Sequence, residues 1–483
     1  MAASWIVTPS VELRETLTDN VNLAPSDQAR SDLVTEITPS VAFRGIGPHA
    51  RIAGTIAVPT LLYARTGSQN NQVYPEIAIA ANAELVERLF YVDAAINVTQ
   101  PFLSPFGGQP LSLTTATNNR YTSSSYVVSP YLKGLLPGNI EYELRDTVTF
   151  TKASQTPVDT SDAFVNQVIG HVASAVTPFG WFADLNATDV KFSDQSTQRL
   201  NLVRTGPRYA ISPLLRVQAS VGYEDDNFPG AEYSNVIYGA NVQWRPSPRT
   251  TASAAVEHRF FGTSFLARLE YRTPLTAWTV EASRNLSIYP QQVSTWTTVP
   301  SAGGLLDQLF RSRIPDPDLR EQAAASYLQG QAIPTTLATA VNIYTQQILL
   351  TNNVTVAAAL TGSRNSVFLS AYYSRNEPIA GTSTVETADQ ALNTNTQIGT
   401  SVIWAYRLTP VTNINSTLFA TRTRANPPFA GYTNQAGARI EVDHFLSPRT
   451  RVFAGARHQA LRSDLATEYT ESAVFAGVGY TFK

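Results

Sequence analysis

The stretch FLARLEYR, residues 265–272, sets Phe265, Ala267, Leu269 and Tyr271 against Arg268, Glu270 and Arg272. Successive side chains of a strand point to opposite faces, so these eight residues read as a strand with one apolar and one charged face. The same alternation recurs along the chain. It is found in SVELRET (10–16), TEITPSVAFR (35–44), IEYELRDTV (140–148), RVQASVGYE (216–224) and ARIEVDH (438–444). The chain closes on ESAVFAGVGYTFK, with Val474, Ala476, Val478, Tyr480 and Phe482 on one face. An apolar strand of this kind is a sticky edge unless a second sheet or closure into a barrel covers it.

Two features favour the barrel over an antiparallel sandwich. Alternating segments of roughly 9–13 residues follow one another from end to end, the length of a tilted membrane-crossing strand. Their connections also alternate between short and long. Short Pro- and Gly-rich turns lie at RGIGPHAR (44–51), LLPGN (135–139), VTPFG (176–180), ISPLL (211–215), PSPRT (246–250), RTPLT (272–276), TGSR (361–364), LTPVT (408–412) and LSPRT (446–450). Between them come TDNVNLAPSDQAR (18–30), PFLSPFGGQPLSLTTATNN (101–119), DDNFPGAEYS (225–234) and TRANPPFAGYTN (423–434). The expectation is an all-β, transmembrane, antiparallel up-and-down barrel occupying 1–483. It has about 22 strands, within a range of roughly 18–24, and an even count places both termini on the periplasmic, short-turn side.

Composition agrees. Charged residues are 15% and hydrophobic residues 43% of the 483, so polar uncharged residues fill the place of charge, against about 25% charged in soluble proteins. A mean hydropathy of -0.11 suits half-apolar strands better than helical membrane spans, and no run of about 18 apolar residues occurs. The net charge of -2 carries no basic footprint for nucleic acid. Cysteine is absent, which removes disulfides and thiolate metal sites. The opening MAASWIVTPS has neither a basic n-region nor an apolar h-region, and is read as the start of a mature or recombinant form.

Alternation stops over 289–340, where RIPDPDLREQAAASYLQG predicts a helix near 317–329. Asp316 is the N-cap, Pro317 stands at the first helical position and Gly330 is the terminator. This long loop is expected either outside the barrel or folded into its lumen.

TPSVELRETLTDNVNLAPS, SDLVTEITPSVAFRGIG, ANAELVERLFYVDAAINVTQ and SRIPDPDLREQAAASYL together resemble the outer-membrane β-barrel porins associated with PEP-CTERM and exopolysaccharide systems. The resemblance implies the outer membrane of a Gram-negative bacterium and a part in exporting surface polysaccharide. It brings no catalytic residue.

The polar faces supply the expected lumen lining: Glu12, Arg14, Glu36, Arg44, Glu141, Glu143, Arg145, Arg216, Glu224, Arg268, Glu270, Arg272, Arg439, Glu441 and Asp443. Mixed signs point to a transverse field with modest ion selectivity, or to cross-strand pairs that hold the wall. Trp5, Trp244, Trp278, Tyr480 and Phe482 are expected in an interfacial aromatic girdle. Val478, Tyr480 and Phe482 also resemble the terminal signal read by barrel-assembly machinery, with Lys483 as a departure from it. His258 and His444 stand next to carboxylates, but adjacent residues face opposite sides, which disfavours an acid–base pair. No nucleophile elbow, Walker loop or zinc-helix motif is present, so no enzyme, cofactor or metal is expected. The expected partners are outer-membrane lipid and lipopolysaccharide, the assembly machinery, and periplasmic polysaccharide-export proteins. The functional expectation is an export channel, with a general diffusion or uptake porin, or a structural adhesion barrel, as alternatives.

Overall fold

The structure is a computed structural model that describes residues 4–154, 162–193, 197–228, 231–288, 301–341, 345, 347–379, 393–427 and 429–482. Parts of the long loop (289–300, 342–344 and 346), and Lys483, therefore lie outside the described residues.

Twenty-two antiparallel strands form a single closed wall. The first quarter comprises β1 (Ser4–Thr18), β2 (Asp32–Ile46), β3 (Ala50–Ala57 continued by Thr60–Tyr63), β4 (Gln72–Val73 continued by Glu76–Val86) and β5 (Phe90–Thr99). There follow β6 (Thr122–Leu136), β7 (Ile140–Ser154), β8 (Ala163–Ser174), β9 (Phe179–Phe192), β10 (Gln198–Ser212) and β11 (Leu215–Phe228). Next come β12 (Ala231–Ser247), β13 (Thr250–Arg259), β14 (Gly262–Arg272), β15 (Thr276–Ser287) and β16 (Leu349–Thr361). The last are β17 (Asn365–Pro378), β18 (Asn395–Thr409), β19 (Thr412–Ala425), β20 (Tyr432–Ser447), β21 (Thr450–Ser463) and β22 (Tyr469–Thr481). Pro59 and Pro75 cannot donate to a ladder, and they stand where β3 and β4 are each interrupted.

Closure is made by β22 pairing with β1, from Ser10 opposite Thr481 to Thr18 opposite Ala473. This removes both edges of the sheet. At the seam the strands approach so closely that a Cβ on Gly477 would stand 2.4 Å from the Phe453 ring and 2.5 Å from the Leu13 carbonyl oxygen.

Alternation decides the two faces. Leu13, Leu17, Leu144, Val203, Val221, Tyr223, Leu269, Leu418, Ile440, Val442, Val474 and Val478 are exposed on the outside. Their neighbours Thr16, Glu224, Glu441 and Asp443 are buried inside. A closed wall that is apolar outside and polar inside meets the requirement that lipid imposes, since the strands pair in a ladder that closes on itself. Helices long and apolar enough to cross a membrane are absent among the described residues. Ser4, opposite Ile46, and Tyr480, opposite Thr450, both lie at the short-turn rim.

Among the described residues three helices lie outside the wall's ladder: a single turn α1 (Gly67–Asn70), α2 (Ala302–Phe310) and α3 (Pro317–Gly330). Ser301 caps α2 by accepting from the Gly304 amide at 3.0 Å. Asp316 caps α3 by accepting from the amides of Asp318 (2.9 Å) and Leu319 (3.0 Å). The α2–α3 hairpin packs inside the barrel: Leu305, Leu306, Leu309, Leu328, Ile333 and Leu337 meet Ala277, Ala357, Ala359, Phe368, Ile403 and Ala405 of β15–β18. Small alanines on the inner wall leave room for the helix leucines, and burying each leucine contributes about 1.5–3 kcal/mol.

Candidate functional site

The lumen is the candidate site, and two inserted segments shape it. The first is the strap 100–121 between β5 and β6. It crosses the inner faces of β1–β4 to reach the last strands. The Gln109 amide donates to Gln435 Oε1 (3.1 Å), and Gln435 Nε2 donates back to the Gln109 carbonyl (2.7 Å). The Leu111 amide donates to Gln459 (3.2 Å), and Thr433 donates to the Phe106 carbonyl (3.1 Å). Arg457 donates to both Thr115 (3.0 Å) and Glu471 (2.9 Å), and the Arg457–Glu471 pair is almost wholly buried, at 1% and 0% exposure.

The second segment is the α2–α3 hairpin, which lies at the short-turn end. Its apolar side rests on β15–β18, as described. Arg272 Nη1 donates to the Gln308 carbonyl (3.1 Å), Tyr327 pairs with Ser366 (2.6 Å), and Asn413 and Asn415 donate to the Gly330 and Gln331 carbonyls (3.0 and 2.9 Å). Arg320 ties α3 back to Asp307 of α2. The N-terminus of α3 reaches a different part of the wall: Asp318 pairs with Arg51 at 2.9 Å and stands 3.9 Å from Arg44. The hairpin therefore forms a chord across the lumen. Beyond α3 the chain climbs along β17 and β18, where Ser370 donates to the Ala338 carbonyl and Gln397 brackets Val341. Between strap and hairpin lies a cavity of about 610 Å³, lined by Phe102, Leu111, Leu337, Tyr372, Phe419, Arg439 and Glu441 among others.

The charged residues named from the sequence fall into two groups. Glu12, Arg14, Glu36, Arg439, Glu441 and Asp443 meet in one inward network on β1, β2 and β20. Arg14 reaches Glu12 (2.8 Å) and Glu36 (3.5 Å), and Arg439 pairs with Glu441. Arg451 of β21 joins them by bonding Glu12 (2.7 Å) and Asp443 (2.9 Å), and Asn415 completes the set by donating to Asp443 (2.9 Å). The Arg14, Arg439 and Arg451 guanidinium groups lie over the Phe453 and Phe475 rings at 4.6–5.6 Å.

The second group lines the far wall. Arg145 bonds Asp93 and Glu143, both at 2.8 Å, with its guanidinium 3.7 Å from the Tyr131 ring centre. Glu141 takes Arg208 at 3.3 Å. Asp184 holds His171 (2.6 Å) and Arg204 (2.9 Å), and Arg204 continues to Glu257 (3.3 Å). Glu224 is fully buried against Arg259 at 2.7 Å. Arg268 pairs with Glu270 at 2.9 Å, and Arg216 is exposed. Arg272 and Arg44 belong to the hairpin contacts instead. His258 stacks on Tyr238 on the outside, at 5.1 Å, away from Glu257.

Burial overlaps between the two walls, with far-wall Glu224 at 0% and network residue Glu12 at 28%, but the wettest charges lie on the far wall. Beneath the strap and hairpin, Arg14, Glu36, Glu441 and Asp443 are exposed by 15, 10, 9 and 0%. On the other side Asp93, Glu141, Glu143, Arg204 and Arg268 are exposed by 37–54%. The sequence reading did not single out Arg451, Arg457, Glu471, Asn415, Asp93, Asp184, Arg204 or Arg208. Alternation in TRVFAGARHQ (450–459), which sets Arg451, Phe453, Arg457 and Gln459 on one face, was the available signal.

Trp5, Trp244, Trp278, Tyr480 and Phe482 are all exposed on the outer face near the short-turn rim, at 36–60%. Groups of three or more side chains able to hold a metal are absent among the described residues.

A closed antiparallel wall of this size with an apolar exterior and a charged lumen defines an outer-membrane-type β-barrel. No family model matches the chain, and no curated protein matches it. Among solved structures it is similar to the siderophore receptor PirA from Acinetobacter baumannii, at 9% identity and TM-score 0.48 over 99% of this chain and 80% of that one. The siderophore receptor PiuA from the same organism gives 8% and 0.47 over 98% and 82%. The outer membrane protein OpdK from Pseudomonas aeruginosa gives 7% and 0.35 over 99% of both chains. At such identities the likeness concerns the barrel alone, and the fold rests on the closed ladder itself.

Proposed function

We propose that this chain is an outer-membrane channel passing small hydrophilic solutes along the β5–β14 side of its lumen. The observation that carries this reading is the contrast in burial. Glu36, Glu441 and Asp443 are covered, while Asp93, Glu141, Glu143, Arg204 and Arg268 on the β5–β14 side are each more than a third exposed. Arg and Glu alternate along that wall, so the passage carries a transverse field and only weak charge preference.

The test is the reversal potential of the purified barrel in a planar bilayer, with wild type compared with the double variant Glu141→Gln/Glu143→Gln. Two carboxylates about 8 Å from a passing ion contribute roughly 1 kcal/mol in water. The expected result at low salt is a shift of about fivefold toward anions. A barrel that never conducts would sink the reading and leave a structural or adhesion barrel in its place. An unchanged permeability ratio would remove the β5–β14 route.

Export of surface polysaccharide is the second reading, supported by the resemblance at the N-terminal segments and SRIPDPDLREQ. For a polymer to pass, the hairpin would have to leave the lumen. Sugar rings would find few free aromatic faces, because Tyr91, Tyr131, Phe453 and Phe475 each carry a cation over the ring. A deletion strain that secretes unchanged surface polymer would exclude export, and with it any periplasmic export partner. Under both readings Val478, Tyr480 and Phe482 are offered to the assembly machinery.

A further inference from the structure

We propose that the outer face of β16–β21, at the long-loop end, is a binding site for a phosphorylated multi-acyl glycolipid of the lipid A type. The site lies outside the lumen and rests on the reading that the long loops face the cell exterior.

The ladder registers assemble it. Val354, Tyr373, Ile398, Arg422, Asn434 and Arg462 stand side by side in one cross-strand row on six successive strands. The next row toward the membrane interior runs through Val356, Ala371, Thr400, Ala420, Ala436 and Ala460. Five of those six are Ala or Thr, so the wall is recessed there. The result is a groove of about 820 Å³ lined by both rows and open toward lipid. Its outer edge is basic. Arg422 and Arg462 belong to the groove, and Arg424, one pleat nearer the loops, is exposed beside them. Carboxylates in ion-pair contact with these three are absent among the described residues. Arg375 in the same outer row is by contrast occupied by Glu377. Arg422 rests on the Tyr432 ring at 5.4 Å.

An apolar recess alone would be solvated by any acyl chain. Three guanidinium groups at its upper rim, without a carboxylate in ion-pair contact among the described residues, select for phosphate, which arginine binds in bidentate fashion. They stand at the long-loop ends of β19 and β21, and with those loops outside the cell the phosphates of such a glycolipid lie beside them and its chains point into the recess. A cationic residue near an anionic membrane surface contributes about a fivefold gain in binding. Removing all three is therefore expected to weaken binding on the order of 100-fold.

The experiment is native mass spectrometry of the full-length barrel in detergent. It is titrated with bis-phosphorylated lipid A, with the same lipid lacking phosphates, and with phosphatidylglycerol. Arg422→Gln/Arg424→Gln/Arg462→Gln is expected to lose the first lipid by that factor. Ala436→Phe is expected to lose it by filling the recess with all arginines intact. Arg88→Gln, an exposed arginine at the opposite rim, serves as a control for general charge loss and is expected to bind as wild type. Heat-modifiable gel mobility establishes that each variant is folded. Equal retention by the triple variant and wild type would overturn the proposal. So would equal affinity for the dephosphorylated lipid, or equal affinity for phosphatidylglycerol. None of these outcomes depends on whether the barrel conducts.

Discussion

The ion pair at the tip of α3 allows a quantitative prediction about the lumen. The hairpin is held unequally at its two sides. Against β15–β18 it buries Leu305, Leu306, Leu309, Leu328, Ile333 and Leu337. At about 1.5–3 kcal/mol each, that side stays docked. Its other side is held by Asp318 with Arg51 and Arg44, and the closest pair has side chains 60% and 36% exposed. Exposed pairs contribute about 0.2–1 kcal/mol. Asp318→Asn therefore leaves the hairpin in place and frees only its tip. A change of about 1 kcal/mol alters the ratio of free to seated tip roughly fivefold. In single-channel recordings the variant is expected to visit larger-conductance substates about five times as often, with an unchanged main level. Raising salt from 0.1 to 1 M should move wild type toward the variant, because screening shortens from about 10 to 3 Å, and should do little to the variant itself. Asp318→Arg combined with Arg51→Asp should restore wild-type occupancy. Identical substate statistics for wild type and Asp318→Asn across that salt range would refute the latch. A collapse of the main conductance level would show that the whole hairpin had moved, against the packing argument.

Two further outcomes follow from buried groups. Glu471→Gln leaves Arg457 charged in a site where both partners are essentially without exposure. Breaking such a pair costs about 3–5 kcal/mol, so the temperature of the heat-induced gel-mobility shift should fall markedly, while Glu143→Gln on the water-facing wall should leave it nearly unchanged. At the seam, Gly477→Val places its first side-chain atom within 2.5 Å of the Leu13 carbonyl. Backbone cannot yield there without opening the β1–β22 ladder, so assembled barrel in membrane fractions should drop sharply relative to Gly479→Ala, where the nearest atom is 3.9 Å away.

The wall was legible in the sequence because a barrel repeats one local rule. Each strand needs only its own alternation and a turn at each end, and FLARLEYR shows the rule as well as any segment. The terminal strand was equally readable, since its apolar stripe had to find either a partner sheet or the first strand. The organisation of the lumen was less accessible. That Arg439 faces inward follows from parity. That its neighbour Asp443 is covered, while Glu141 is wet, depends on where 100–121 and 301–341 lie, and neither segment shows the strand period. Residues 101–119 read as a polar loop because their hydrogen bonds go to Gln435, Gln459 and Glu471, partners more than 300 positions away. Arg451 was passed over for a related reason. It sits beside a turn motif, SPRT, and its carboxylates come from β1 and β20. Cross-strand charge matching needs the register, and the register is a property of the assembled ladder.

The long reach of the strap's bonds also fixes an order of events. Thr18 donates to Glu471 across 453 positions, and Thr115 to the same carboxylate across 356. Contacts so distant along the chain are slow to form, because the entropy of closing the intervening chain is lost before they reward it. Until β21 and β22 arrive, Thr115 has neither Arg457 nor Glu471 to bond. A partly built wall is thus a wide, unfilled one. The narrowing of the passage belongs to the finished cylinder and coincides with the moment its last strand meets its first.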